Sequence, residues 1–163
     1  MKDEIRLKAE RLVRLLRARD QRVATAESCT GGLVAGAITA VPGASDVFGE
    51  GYVTYSDEVK ARVLGVLPET LANHGSVSGE CAGEMARNLE KLTHCDLALA
   101  ITGYAGPTGG TDASPIGTVW FGVSRVGRTE TFVERFEGTR DEIRERAVLR
   151  ILLHGLEALR KQP

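Results

Sequence analysis

Ser28, Cys29 and Thr30 stand in a row, with Glu27 before them and Gly31-Gly32 after them. Hydroxyl and thiol side chains attack acyl carbons once a neighbouring base weakens their hold on the proton. The segment in front, Arg22-Val23-Ala24-Thr25-Ala26, reads as a strand, and Gly31 to Val41 reads as a helix. The triplet therefore falls at the carboxyl end of a strand, where open α/β sheets bind ligands. The first N–H groups of such a helix lack intrahelical partners and lie at the positive end of its dipole. They are expected to be free to meet a phosphate, a carboxylate or a developing oxyanion. The simpler alternative makes Ser28 or Thr30 a helix cap and nothing more.

No histidine neighbours the triplet in sequence, so another base is needed. Three loops compete to supply the site: Ser28 to Gly32, Gly43 to Tyr55 followed by the helix that carries Lys60, and Thr102 to Pro107. A lysine can take a serine proton if burial or a cationic neighbour lowers its pKa, which makes Ser28 and Lys60 the natural pair. An exposed Lys60 on a short helix is the competing reading. Cys29 is a rival nucleophile, because a thiol at a helix N-terminus can lose its proton readily. Generic phosphate loops do not fit: the chain after Gly31 lacks the P-loop lysine, and Gly49-Glu50-Gly51 lacks the third glycine of a dinucleotide turn.

These residues need a scaffold, and hydrophobic periodicity describes one. Ile5, Ala9, Leu12, Val13 and Leu16 form one helical stripe that ends near Arg19-Asp20. Gly51 to Tyr55 is a short β-type run after the Pro42-Gly43 loop, Asp57 to Leu64 turns helical, and Pro68 opens another short helix. Ser78 caps a helix on which Cys81, Met85, Leu89 and Leu92 share the core face. Asp96 to Ile101 is a continuous apolar run of the kind that is covered on both faces. Gly117–Arg125 and Thr129–Phe136 read as neighbouring strands joined at Gly127, and Ile143, Ala147, Ile151, Leu152, Leu156 and Leu159 mark a long last helix with Gly155 as its weak point. Residues 1–163 are thus expected to form one α/β domain, a three-layer α/β/α sandwich with a mixed, mostly parallel sheet.

Composition removes several function classes. The chain has 163 residues, 42% of them hydrophobic, and 21 basic against 22 acidic residues give a formal charge of -1. No global field favours nucleic acid or an anionic membrane. The basic residues from Lys2 to Arg19 alternate with Asp3, Glu4 and Glu10, as on a solvated helix face. Cys29, Cys81 and Cys95 are odd in number and lack C-x-x-C spacing, which favours a reducing cytoplasm. No apolar run reaches membrane-spanning length, and the N-terminus lacks a signal-peptide core. His74, His94 and His154 are scattered, so no metal site is expected.

The order of motifs resembles the CinA C-terminal domain family. The matching stretches are Ala26 to Gly32, Val41 to Ser45 through Phe48, Gly51 to Ser56 with Lys60, His74 to Ser78, Thr102-Gly103 with Ala105-Gly106-Pro107, and Gly138 with Arg140 and Arg144. Members that stand alone, without the large N-terminal domain of longer CinA proteins, are nicotinamide-nucleotide amidases. The resemblance implies hydrolysis of the carboxamide of nicotinamide mononucleotide to nicotinic acid mononucleotide and ammonia, with no cofactor and in a homodimer. The apolar helices at both ends of the chain also suit a homodimer.

On that reading Ser28 attacks, Lys60 serves as base and then acid, and Tyr55 positions or relays between them. Thr30, Gly31 and Gly32 would hold the oxyanion or the phosphate. Arg140 and Arg144, four apart on one helix face, suit a phosphate. Ser45 and Thr102 would reach the ribose or phosphate, and Gly43, Gly103, Ala105 and Gly106 would allow close backbone approach. Tyr104 and Asp57 depart from the family pattern, which has an aliphatic residue and an asparagine there. A catalytically silent nucleotide-binding or competence- and damage-related interaction module is the alternative.

Overall fold

The computed structural model describes residues 1–161. Its centre is a five-stranded sheet in the order β2-β1-β3-β4-β5, made of β1 (Val23–Glu27), β2 (Phe48–Val53), β3 (Leu97–Gly103), β4 (Thr118–Arg125) and β5 (Arg128–Arg135). β1 pairs in parallel with both β2 and β3, while β4 pairs antiparallel with β3 and β5. β4 alone therefore runs against the other four strands. The sheet is mixed and mostly parallel, within an α/β fold.

Alternation along the strands sends side chains to two cores. On one face Val23, Leu97, Leu99, Ile101, Val119 and Phe121 pack against α1 (Lys2–Ala18), α2 (Leu33–Thr39) and α6 (Arg140–Arg160). On the other, Ala24, Ala26, Ala98 and Ala100 meet Cys81, Met85, Ala86 and Leu89 of α5 (Gly79–Thr93) and Leu64 of α3 (Asp57–Leu64). Small residues bring α5 unusually close to the sheet: a Cβ on Gly122 would lie 2.1 Å from the carbonyl oxygen of Ala82, and one on Gly79 would lie 2.8 Å from Trp120.

Several boundaries moved for identifiable reasons. The second helix starts at Leu33 and not at Gly31, because Gly31 and Gly32 take φ values of 58° and 99°, outside the helical region. β2 begins three residues before Gly51, since pairing with β1 extends to the Val23–Phe48 register across an irregularity, and it stops before Tyr55. Cys81, Met85 and Leu89 are buried as expected, but Leu92 is 47% exposed, because α5 is by then running past the edge of the core. Gly155 is no weak point. It is buried in α6, where a Cβ would sit 3.2 Å from Leu99. The apolar stripe of α1 is spent inside the chain, in the same core as Ile143, Val148 and Ile151 of α6, so it offers no surface of its own for a dimer.

Candidate active site

The carboxyl ends of β1 and β3 open into a cavity of about 220 Å³ lined by Ser28, Cys29, Tyr55, Lys60, Ser76, Val77, Thr102 to Gly106, Thr108 and Arg140. Ser28 follows β1 directly, and its N–H donates to the carbonyl of Ile101 at 3.0 Å, which extends the strand pairing to the side chain that matters. α3 begins at Asp57 behind the Ser56 cap, whose side chain accepts from the N–H of Val59. That start sets Lys60 on the inward face of the helix.

Lys60 is only 1% exposed. Its Nζ donates to the carbonyl oxygen of Thr54 at 2.9 Å and to Ser28 Oγ at 3.1 Å. Burial pushes its pKa below the ordinary lysine value, against the opposing pull of Cys81, Asp57 and Cys29. A neutral amine in this position accepts the serine proton across the contact it already makes. Ser28, itself 7% exposed, completes a buried hydroxyl–amine pair that opens onto the cavity.

The turn after Ser28 is held from two sides. Glu27, 1% exposed at the end of β1, accepts from Thr30 Oγ1 at 2.7 Å, from the N–H of Val34 at 2.8 Å and from the N–H of Ala35 at 3.0 Å. It therefore supplies the cap that Gly32 cannot, and the helix N-terminus is already satisfied by a carboxylate. This corrects the expectation of free N–H groups at Gly31 and Leu33 to Ala35, which are bonded to the Ser28 carbonyl, the Thr30 carbonyl and Glu27, and equally the reading of Ser28 or Thr30 as the cap. From the other side, Arg144 donates from Nε to the carbonyl of Cys29 at 3.1 Å and from Nη2 to the carbonyl of Thr30 at 3.2 Å.

The remaining expected residues divide. Arg140 lines the cavity and donates to the Gly106 carbonyl at 2.7 Å and to Tyr55 Oη at 2.9 Å. Tyr55 thus stands at the mouth, 59% exposed, tied to Arg140; Ser28 and Lys60 touch directly and leave no gap for it to bridge. Thr102 is buried and donates to the Ser76 carbonyl at 2.7 Å, tying two cavity loops together. Gly103, Ala105 and Gly106 line the cavity; Thr30, Gly31, Gly32 and Arg144 do not, the N–H of Gly31 donating to the Ser28 carbonyl at 3.0 Å. Gly43 and Ser45 line a separate depression with Pro42 and Phe48. There a Cβ on Gly43 would lie 2.9 Å from the guanidinium of Arg17.

Cys29 faces the same cavity, but burial pushes its thiol up to about 12, with Arg144 and Lys60 opposing only in part. At neutral pH it is a thiol and not a thiolate.

Comparison with known proteins decides the family. A family model described as the CinA C-terminal domain matches residues 6–162. The chain belongs to the CinA C-terminal domain family. A protein of this family named nicotinamide-nucleotide amidohydrolase PncC, from Shigella flexneri, is 47% identical over 140 residues, which cover 85% of each chain. A CinA-like protein of Thermotoga maritima is 45% identical over 152 residues, covering 93% of this chain and 36% of that one. The chain spans about a third of the length of several curated relatives it matches. The crystal structure of the competence damage-inducible protein A from Klebsiella pneumoniae subsp. pneumoniae MGH 78578 superposes with a TM-score of 0.94 at 41% identity, covering 98% of this chain and 99% of the other.

Glu27, Thr54, Ser76 and Thr108 are the participants sequence reasoning did not single out. For Glu27 the available signal was a carboxylate just ahead of a glycine pair that cannot cap by side chain. Thr54 acts through its carbonyl, which leaves no signature in residue type.

Proposed function

We propose that this chain is a nicotinamide-nucleotide amidase that hydrolyses the carboxamide of nicotinamide mononucleotide, with Ser28 as nucleophile and Lys60 as general base and acid. The observation that carries the reading is the 3.1 Å contact between the buried Lys60 Nζ and Ser28 Oγ at the floor of an open cavity. The amidohydrolase name of the Shigella flexneri relative supports the substrate.

Ser28 Oγ attacks the carboxamide carbon as Lys60 takes its proton. The tetrahedral intermediate collapses when Lys60 returns a proton to the departing nitrogen, releasing ammonia and leaving a nicotinoyl ester on Ser28. Water, deprotonated by the same amine, cleaves the ester. Because Glu27 occupies the N-terminus of α2, the oxyanion is assigned to the backbone N–H groups of cavity-lining Cys29, Ala105 and Gly106. Arg140 is assigned to the nucleotide phosphate, with Tyr55 orienting its guanidinium. Arg144 is assigned to the turn and not to the ligand. The protein is proposed to work in the cytoplasm, where its three free, buried cysteines stay reduced, and as a homodimer, which light scattering tests.

Incubation with nicotinamide mononucleotide and an assay for ammonia tests the activity. Release by the unsubstituted protein, lost in Ser28→Ala and in Lys60→Ala, is the expected result. Binding of the nucleotide with no release above those variants would make the domain a silent binding module.

A further inference from the structure

Thirteen residues line the active-site cavity; Lys60 and Arg140 among them are basic, and no carboxylate is present. A pyridinium nucleotide brings a negative phosphate and a positive ring. Arg140 suits the first. The ring has no carboxylate to meet, and the aromatic side chains in the lining, whose ring faces attract a cation without carrying a charge, are Tyr55 and Tyr104. Tyr55 has its hydroxyl bonded by Arg140, so a second cation beside it would meet a like charge.

Tyr104 is differently held. Its N–H donates to the Thr118 carbonyl at 3.0 Å and its carbonyl accepts from the N–H of Gly117 at 2.7 Å, which fixes its backbone to the start of β4. Gly109, at a φ of 91°, lies beside the ring: a Cβ there would be 3.4 Å from Tyr104 Cδ1. The side chain is half-buried and lines the cavity with Ser28 and Lys60. An aromatic ring on a fixed backbone, with only two side-chain torsions to order, loses little freedom when a ligand stacks on it.

We infer that Tyr104 is a specificity-determining residue whose ring face receives the cationic pyridinium, so that the site selects positively charged aromatic carboxamides over neutral ones of the same shape. The inference rests on the amidase reading and adds the source of its selectivity. An aliphatic side chain at this position would fill similar space without the quadrupole that attracts a cation.

The test compares two ligands in a Ser28→Ala background, which stops turnover: nicotinamide mononucleotide, and its neutral isostere in which a benzamide ring linked through carbon replaces the pyridinium. With Tyr104 intact the cationic ligand binds more tightly. Tyr104→Leu weakens it by roughly threefold to thirtyfold and changes the neutral ligand by less than about twofold, while Tyr104→Phe, which keeps the ring, retains the preference. A preference that is the same before and after Tyr104→Leu overturns the inference, as does failure of the cationic ligand to bind with Tyr104 present. Ammonia release by the unsubstituted protein is read separately: release with no change of preference on substitution discards the role of Tyr104 and leaves the amidase standing, whereas no release discards the amidase and this inference with it.

Discussion

Arg144 reaches from α6 to bond the carbonyl of Cys29, a residue 115 positions earlier, and with its second arm it bonds the next carbonyl, Thr30. The fork thereby fixes the turn that aims Ser28 at Lys60. A planar guanidinium presents its N–H groups in a fixed fork, which a lysine ammonium does not reproduce.

Arg144→Lys should therefore lower kcat about tenfold to a hundredfold while KM changes less than about threefold, because the nucleophile moves and the ligand contacts do not. Arg140→Lys should do the reverse and act mainly on KM. Steady-state ammonia release separates the two. A rise confined to KM in Arg144→Lys would return that residue to the phosphate.

Glu27→Gln should destabilise the protein by about 1–3 kcal/mol, since an amide cannot accept from Thr30 Oγ1 and the N–H groups of Val34 and Ala35 at once, and it leaves a buried donor unpaired. Urea unfolding reads this as a lower midpoint at unchanged m. An unchanged midpoint would show that the carboxylate does not cap α2.

Cys29→Ala should keep more than about a third of the activity, and Ser28→Ala should lose at least about a thousandfold. The thiol raised to about 12 by burial stays protonated at neutral pH. Parallel assays of the two variants decide, and loss in the cysteine variant alone would reverse the assignment.

The depressed pKa of Lys60 makes a signed statement about pH. A lysine lowered on folding opposes the folded state below its folded pKa, and that penalty fades as pH rises through the folded pKa and is gone above the ordinary value of 10.5. Relative to Lys60→Met, the unsubstituted protein should therefore gain stability between the folded pKa and 10.5. Its kcat/KM should rise as pH climbs through the folded pKa, where the amine loses its proton, and level off above it. Denaturant titrations and rate profiles at matched pH check both. A stability difference that stays flat below 10.5 would mean that Lys60 folds with its charge unpenalised.

Much of this arrangement was legible in residue types. The strand–turn–helix around Ser28 is announced by a β-type run that meets two glycines, and the burial of Leu97 to Ile101 by an apolar run with no polar break. The Ser78 cap is present as expected, its side chain accepting from the N–H of Cys81. What stayed hidden depends on distance in the chain. Residue type shows that Glu27 precedes a helix but not that its carboxylate turns back to cap it. Spacing puts Arg140 and Arg144 on one helix face, yet one turn of helix separates a residue over the cavity from one over the backbone behind it. Gly43 and Ser45 follow a loop that packs on Arg17 of α1, a contact no local pattern announces.

The pairing of Ser28 with Lys60 is tested most directly by rapid quenching of the protein with nicotinamide mononucleotide, followed by peptide fragmentation that separates Ser28 from Cys29 in the mass spectrum. A nicotinoyl ester on the peptide carrying Ser28, formed by the unsubstituted protein and absent in Lys60→Met, is the predicted result. Ammonia release with the acyl group on Cys29, or at an undiminished rate in Lys60→Met, would contradict it.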